Sequence, residues 1–265
     1  MSGTMKRTRR LVAFCVCAVG IASAQSAVPN ATGVASVSSE FHLERPLLEF
    51  WQAVTGGSPG IIMTGQISFL TFQDLNFGVV NFSQKPTGGM TGSVIDHLGL
   101  RVKNLSEALA RVQSAEFRAV QDTDPNRAFV HGPEGLNIEL IGDAALASQV
   151  QWDHIHFRSQ EPERMRAWYA ATFGALADNR GPEPAADLPG MKLLFAKSES
   201  ATAPTKGRVV DGIHIEIADI EKFRGELETQ GTALEQEKRH DTPWPVAHLT
   251  DPWGTSIVLT QSRQR

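Results

Sequence analysis

A pair of histidines near the middle of the chain gives its clearest chemical signal. The stretch Trp152-Asp153-His154-Ile155-His156-Phe157 alternates polar and apolar side chains, which predicts a β-strand with His154 and His156 on the same face. Adjacent imidazoles can bind a metal ion, accept a proton or donate hydrogen bonds to an anion. Two histidines satisfied by neighbouring groups at the end of a sheet would give the same pattern, so both interpretations stay open.

The strand with this histidine pair belongs to a unit that recurs along the chain. Each copy has a predicted strand followed by an amphipathic helix with a polar residue at its start. The three clearest strands span residues 94–100, 152–157 and 210–215, and their helices begin near Asn104, Glu161 and Asp219. Short strands follow each helix, and in two units a turn with proline and glycine precedes the last strand, at residues 132–135 and 251–254.

A weaker copy precedes these three units. Its first strand is predicted at residues 34–40, its helix at 46–55 and its remaining strands at 61–82, so the chain should contain four βαβββ units near residues 34–83, 93–142, 150–200 and 208–262. A strand-rich unit of this size cannot bury its sheet alone. We therefore expect an α+β fold in which the units pair into two curved mixed sheets with the helices outside. We divide it into an N-terminal domain over residues 28–146, with the first and second units, and a C-terminal domain over residues 147–265, with the third and fourth.

The first 27 residues have the pattern of a secretory signal peptide. Basic residues between positions 6 and 10 precede an apolar run over residues 11–24, and small residues follow. The run is too short to span a bilayer comfortably. We expect export to the periplasm or the medium, with cleavage after Ala24 or Ala27. Both cysteines, Cys15 and Cys17, would leave with this leader, which excludes disulfides and thiolate chemistry in the mature protein.

The charge of the remaining chain argues against nucleic acids and membranes as partners. Four of the 25 Lys and Arg residues and none of the 29 Asp and Glu residues lie in the leader, so the rest carries eight more acidic than basic side chains. An acidic protein without basic clusters binds phosphate backbones and anionic lipid surfaces poorly. We predict a monomer or homodimer with a small-molecule ligand or substrate, no nucleic acid, and no membrane association after the leader is removed.

The repeated unit resembles a known superfamily. Asp-His followed by an apolar residue on a first strand, and Asp251-Pro252-Trp253-Gly254-Thr255 before a last strand, are similar to the vicinal oxygen chelate proteins. This superfamily includes glyoxalase I, extradiol ring-cleaving dioxygenases and bleomycin-resistance proteins. The resemblance covers nearly all of the chain after the leader. It implies paired βαβββ units that form cup-like sheets around a divalent metal, with a histidine from a first strand and a glutamate or histidine from a last strand.

The resemblance assigns metal ligands unevenly among the units. His97 and Glu139 of the second unit and His154 of the third stand at ligand positions, whereas Gly212 and Val258 replace the expected ligands of the fourth. If the second unit pairs with the third, His97, Glu139 and His154 would meet in a site suited to Fe, Mn, Ni or Zn. If the units pair in chain order, these ligands would be divided between two incomplete sites.

Pairing in chain order would gather a different set of histidines, and we treat its members as catalytic candidates: His156, His214, His240 and His248. The resemblance implies a metal-dependent lyase, isomerase or ring-cleaving dioxygenase acting on a small molecule with vicinal oxygens. A bound metal would polarise those oxygens while a nearby histidine or glutamate moves a proton. The alternative, suggested by Gly212 and Val258, is a non-catalytic binding protein of the bleomycin-resistance type that has lost its metal site.

Overall fold

The structure, a computed structural model, describes most of the chain after its first 30 residues. The described residues are 31–40, 44–58, 60–64, 67–72, 75–81, 85–179, 181–229, 234–237 and 246–261. The predicted leader and His240 lie outside them. Among the residues described, no helix is long and apolar enough to cross a membrane.

Four βαβββ units follow one another along the described chain, as the repeat predicts. The helices are α1 (Glu44–Thr55), α2 (Leu105–Ser114), α3 (Pro162–Phe173) and α4 (Ile220–Thr229). The strands of the first two units are β1 (Ala31–Glu40), β2 (Gly60–Thr64), β3 (Ile67–Phe72), β4 (Leu75–Asn81), β5 (Ile95–Val102), β6 (Arg118–Gln121), β7 (Arg127–His131) and β8 (Asn137–Gly142). Those of the last two are β9 (Val150–Ser159), β10 (Leu176–Asp178), β11 (Ala185–Leu188), β12 (Met191–Lys197), β13 (Val210–Ile217), β14 (Glu235–Glu237), β15 (Val246–Thr250) and β16 (Ser256–Gln261).

The strands form two eight-stranded mixed sheets, which confirms the predicted α+β fold. One sheet has the order β10-β11-β12-β9-β5-β8-β7-β6 and joins the second and third units. The other has the order β14-β15-β16-β13-β1-β4-β3-β2 and joins the first and fourth units. The predicted division into residues 28–146 and 147–265 does not match these sheets, because each sheet takes one unit from either side of residue 146.

Two linkers explain this pairing. The segment between the first and second units runs beside the segment between the third and fourth units. Backbone hydrogen bonds join them, from Thr87 N to Gly207 O (2.8 Å), from Val94 N to Ala203 O (2.9 Å) and from Val209 N to Gly88 O (2.9 Å). Both linkers therefore cross between the sheets at the same place, and the chain visits one sheet, then the other, and then returns.

Helices from neighbouring units hold the two sheets together. Phe50 of α1 packs edge-on against Phe117, which follows α2, with their ring centroids 5.2 Å apart. On the other side Phe173 of α3 stacks on Phe223 of α4 at 5.7 Å. Tyr169 of α3, fully buried, donates a hydrogen bond to Asp251 Oδ2 of the fourth unit at 3.0 Å. The outer surfaces of the sheets thus share one core.

Asp251 anchors the turn that precedes β16, and we expect its removal to destabilise the fold. Its Oδ1 accepts hydrogen bonds from the backbone N–H groups of Trp253 (2.9 Å) and Thr255 (2.7 Å), besides the bond from Tyr169 to Oδ2. Asp251→Ala removes the acceptor of these three donors, of which the Thr255 N–H and the Tyr169 hydroxyl are buried, and should lower the free energy of unfolding by about 2–4 kcal/mol. Tyr169→Phe, which removes one of these bonds, should lower it by about 1 kcal/mol. Urea denaturation measures both, and equal losses for the two variants would contradict the assignment.

Candidate metal centre

The predicted ligand residues meet on the two central strands of the sheet that joins the second and third units. Strands β5 and β9 run antiparallel, with His97 beside His156 and Gly99 beside His154. On the other side of β5, the parallel strand β8 places Glu139 beside Gly99. These side chains share one face of the sheet, whereas Ile155 on the opposite face of β9 belongs to the hydrophobic core.

Gly99 makes room for the ring of His154. A Cβ atom added at Gly99 would lie 2.2 Å from His154 Nδ1 and 2.3 Å from its Cε1, far inside van der Waals contact. Only a residue without a side chain lets the imidazole lie across β5 toward Glu139. The position of His154 therefore depends on a glycine in the neighbouring strand.

The donor atoms of four side chains converge on one point, which we call the cluster: His97, Glu139, His154 and His156. His154 Nε2 lies 3.3 Å from His97 Nε2 and 3.2 Å from Glu139 Oε2. His97 Nε2 lies 3.6 Å from Glu139 Oε2 and 3.0 Å from His156 Nδ1. His97 and Glu139 are each 4% exposed and His154 is 1% exposed, so water reaches these groups only from the cavity.

Two aspartates orient the first two histidines. Asp96 Oδ2 lies 2.9 Å from His97 Nδ1, and Asp153 Oδ2 lies 2.8 Å from His154 Nδ1. In a regular strand neighbouring side chains point to opposite faces, but the pairing of β5 with β9 is shifted at both aspartates, each of which is an extra, bulged residue. With Nδ1–H directed to its carboxylate, each of these histidines can offer the lone pair of Nε2 to an ion in the cluster.

Arginines complete this outer layer. Arg101 Nε lies 3.3 Å from Asp153 Oδ1, and Arg158 Nε lies 3.0 Å from Asp96 Oδ1, so each arginine contacts the aspartate of the other unit. Arg127 Nη1 donates to Glu139 Oε1 at 2.8 Å. None of the three arginines is among the sequence-predicted site residues. For Arg101 and Arg158 the available signal was the spacing Asp-His-x-x-x-Arg, which occurs at both Asp96 and Asp153.

The contacts set the protonation of the cluster. Burial alone would raise the pKa of Glu139, but hydrogen bonds from His154 and His97 and the charge of Arg127 hold it well below its usual range. Burial alone would lower the pKa of His154, but its hydrogen bonds to Asp153 and Glu139 outweigh burial and raise it. Burial, together with the charges of His97 and His154, lowers the pKa of His156 to about 3. Glu139 is therefore ionised and His156 neutral near neutral pH.

The cluster fits a divalent transition metal ion. Two neutral imidazole nitrogens that face each other at 3.3 Å repel each other unless a cation or a proton lies between them. Around an ion with metal–nitrogen distances of about 2.0–2.1 Å, neighbouring donors lie about 3.0–3.4 Å apart. The donor distances within the cluster are close to this range, and the ligand atoms of His97, His154 and His156 all lie within 4.8 Å of one another. Imidazole and carboxylate donors suit Fe, Mn, Ni and Zn.

A cavity of about 410 Å³ opens onto the cluster, large enough for a small molecule. It has apolar walls and two cationic groups, and the lining residues outside the cluster and its aspartate include Arg127, Phe129, Asp178, Pro182, Glu183, Ala185, Lys192 and Leu194. Glu183 Oε2 lies 3.2 Å from His156 Nε2, although without the geometry of a hydrogen bond. The cavity therefore gives a bound molecule direct access to the cluster.

The remaining catalytic candidates lie elsewhere. His214 on β13 and His248 on β15 flank Val258 of β16 in the sheet of the first and fourth units. Pairing in chain order would place them in one pocket with His156, but this pocket is not formed, because the third and fourth units belong to different sheets. Of the four histidines predicted as catalytic, the structure brings His156 to the cluster, and His240 lies outside the described residues.

Comparisons with known proteins agree with this architecture. The sequence matches no protein-family profile and no characterised protein. In three dimensions it is similar to glyoxalase I from Zea mays, with a TM-score of 0.67 and 14% identity over 86% of this chain and 92% of that one. The chain has the glyoxalase I fold. A protein from Bacillus subtilis provisionally assigned as a dioxygenase shares it, with a TM-score of 0.64 and 11% identity over 89% of this chain and 87% of that one.

The shared fold agrees with the architecture that the sequence resemblance implies, paired βαβββ units in cup-like sheets. Identities of 11–14% carry no information about which substrate this chain accepts.

Proposed function

We propose that this protein is a divalent-metal-dependent enzyme of the glyoxalase or dioxygenase type, acting on a small molecule with vicinal oxygens. His97, His154 and Glu139 are its metal ligands. One observation carries the proposal: three buried donors from two different units converge within 3.2–3.6 Å, and each ligand is backed by an aspartate or an arginine. A core histidine satisfied by chance neighbours would not need two matching Asp–Arg pairs behind it.

A divalent ion bound here supplies Lewis-acid chemistry toward adjacent oxygens of a substrate. The protein's own side chains do the rest. Phe129 packs edge-on against His97, with ring centroids 5.1 Å apart, and together with Leu194 it gives the cavity apolar walls that exclude water. Arg127 and Lys192 line the same cavity and place positive charge beside a bound oxygen, although Lys192 also pairs with Asp178 at 2.8 Å.

Glu183 is the residue to which we assign proton transfer. Its side chain is 41% exposed and lines the cavity, within reach of a molecule bound against the cluster. The other cavity carboxylates are held by strong partners: Glu139 by Arg127 and two histidines, Asp153 by His154 and Arg101, and Asp178 by Lys192. A carboxylate free to move between His156 and a substrate is suited to accept and return a proton.

Metal binding tests the proposal directly. We expect the chain without residues 1–27 to bind one divalent ion per molecule, and a chelator to lower its Tm. Free metal at one hundred times Kd stabilises the folded state by about 2.7 kcal/mol. This corresponds to a rise in Tm of about 5–10 °C for a chain of this size. Calorimetry of the metal-free protein with added Zn, Mn, Ni or Fe(II) measures the shift. A chain that binds none of these ions, with unchanged Tm, would rule the proposal out.

Turnover is the second requirement. A panel of 1,2-diols, catechols and 1,2-dicarbonyl adducts covers the substrate classes that present vicinal oxygens to a metal.

Export to the periplasm or the medium is also part of the proposal and is supported by the basic, apolar and small-residue pattern of residues 1–27.

The rival function is a metal-free binding protein. Its motivation was the loss of ligands at Gly212 and Val258, and both residues belong to the sheet of the first and fourth units. The cluster lies in the other sheet, so these losses do not reduce its donor set. A metal-free chain that binds a compound in the cavity without converting it would favour this rival.

A further inference from the structure

The sheet that holds the cluster has an approximate two-fold symmetry. Strands β5 and β9 pair antiparallel, so the symmetry exchanges His97 with His154 and Gly99 with His156. The aspartates behind the histidines follow the same symmetry. Asp96 and Asp153 each contact the histidine that follows them in the sequence and an arginine from the opposite unit. A symmetric site would therefore take one further ligand from each unit.

The second unit supplies that further ligand and the third does not. Glu139 on β8 lies beside Gly99, and its counterpart on β12 is Leu194, which lies beside His156. A leucine side chain has no donor atom. One of the four donors of a symmetric site is therefore missing, at Leu194. Its strand β12 contains neither a histidine nor a carboxylate.

We propose that His156 replaces this missing carboxylate as the fourth metal ligand, through its Nδ1 atom. The inference rests on the proposed function, because it concerns the same ion. His156 stands where the second unit has Gly99, so the third unit gains a donor on its first strand in place of the one lost on its last. His156 Nδ1 lies 3.0 Å from His97 Nε2, a separation expected of two neighbouring ligands, and the side chain is only 13% exposed.

The charged residue behind the fourth ligand differs in sign between the two units, as the ligand itself does. In the second unit Arg127 binds the carboxylate of Glu139. Arg127 stands two residues before Phe129, the residue of β7 that pairs with Glu139. In the third unit Ala185 pairs with Leu194, and the residue two before it is Glu183. A cation therefore stands behind an anionic ligand in one half, and an anion stands behind an imidazole in the other.

This exchange satisfies the chemistry of a ligating histidine. When Nδ1 binds the ion, Nε2 carries the proton and needs an acceptor, which is the role a carboxylate plays behind metal-bound imidazoles. His156 Nε2 is buried and lacks a hydrogen-bond partner in the described part of the chain, yet Glu183 Oε2 lies 3.2 Å away. A rotation of this half-exposed carboxylate completes the bond, whereas an arginine at the same place would repel the N–H.

The test compares metal affinity in three proteins: the wild-type chain, His156→Phe, and the double variant His156→Ala with Leu194→Glu. Phenylalanine keeps the volume of the ring without a donor, and circular dichroism shows whether the variant is folded. Competition with a chelator should give a Zn affinity at least 100-fold lower for His156→Phe, since even outer partners of ligands are worth about 10–100-fold. The double variant, which restores the symmetric carboxylate, should regain at least about tenfold of that loss.

X-ray absorption on the Zn-loaded proteins counts the ligating imidazoles, for which we expect three in the wild type and two in both variants. Affinity of folded His156→Phe within threefold of the wild type, or an unchanged imidazole count, would overturn the inference while leaving the proposed function intact. A wild-type chain that binds no metal at all would overturn both.

Discussion

Replacing His154 by alanine is expected to abolish stoichiometric metal binding. The variant loses the donor that lies 3.3 Å from His97 Nε2 and 3.2 Å from Glu139 Oε2. It also leaves Asp153 without the imidazole that it orients and Glu139 without one of its hydrogen-bond partners. Because outer partners alone are worth about 10–100-fold in affinity, loss of a central ligand should lower it by more than about 100-fold. Metal analysis after dialysis, with chelator competition for the residual affinity, gives the result.

His131→Ala is the matched control for this variant. His131 ends β7 in the same sheet, pairs with Asn137 of β8 and is not part of the cluster. We expect its metal content and affinity to equal those of the wild type. If His131→Ala and His154→Ala lose metal equally, or if His154→Ala retains one ion per chain, the cluster is not the metal site.

Gly99→Ala should lower the metal affinity nearly as much as His154→Ala does, although it removes no donor atom. The added methyl group would lie 2.2 Å from His154 Nδ1, so the ring must leave its position between Asp153 and Glu139. His154 is 1% exposed and has little room in which to relocate. We therefore expect the metal affinity to fall by more than about 100-fold and the free energy of unfolding to fall by about 1–3 kcal/mol. Isothermal titration with Zn and urea denaturation measure the two effects separately.

Gly225→Ala controls for the substitution itself. Gly225 lies in α4, where an added Cβ meets no atom within 4 Å, and alanine favours a helix over glycine by about 1 kcal/mol. This variant should bind metal like the wild type and be at least as stable. If Gly99→Ala also binds metal like the wild type, the ring of His154 is not held across β5 as described.

The repeat made the fold predictable from the sequence, and the pairing of units was the part that it could not decide. Strand alternation, helix periodicity and turn residues are local, so they identify each βαβββ unit from its own residues. Which units share a sheet depends on the two linkers, whose bonds join Thr87 to Gly207 and Val94 to Ala203. More than 100 residues separate these partners, and nothing in either linker's sequence specifies the other.

The same distinction explains what sequence reasoning found in the site. His97, Glu139 and His154 were predictable because each occupies a fixed position within its own unit. Arg101 and Arg158 were missed because each contacts the aspartate of the other unit, which follows only from the antiparallel register of β5 and β9. The proposed role of His156, as the donor that Leu194 cannot supply, also becomes visible only when β9 and β12 are placed side by side.

Crystallographic location of the ion is the most direct test of the central claim, that one divalent metal lies among ligands from the second and third units. Crystals of Zn-loaded protein, measured above and below the Zn absorption edge, should give a single strong anomalous peak at coordination distance, about 2.0–2.2 Å, from His97 Nε2, His154 Nε2 and Glu139 Oε2. A peak beside His214 or His248 in the other sheet, or no peak within the cluster at full occupancy of added metal, would contradict it.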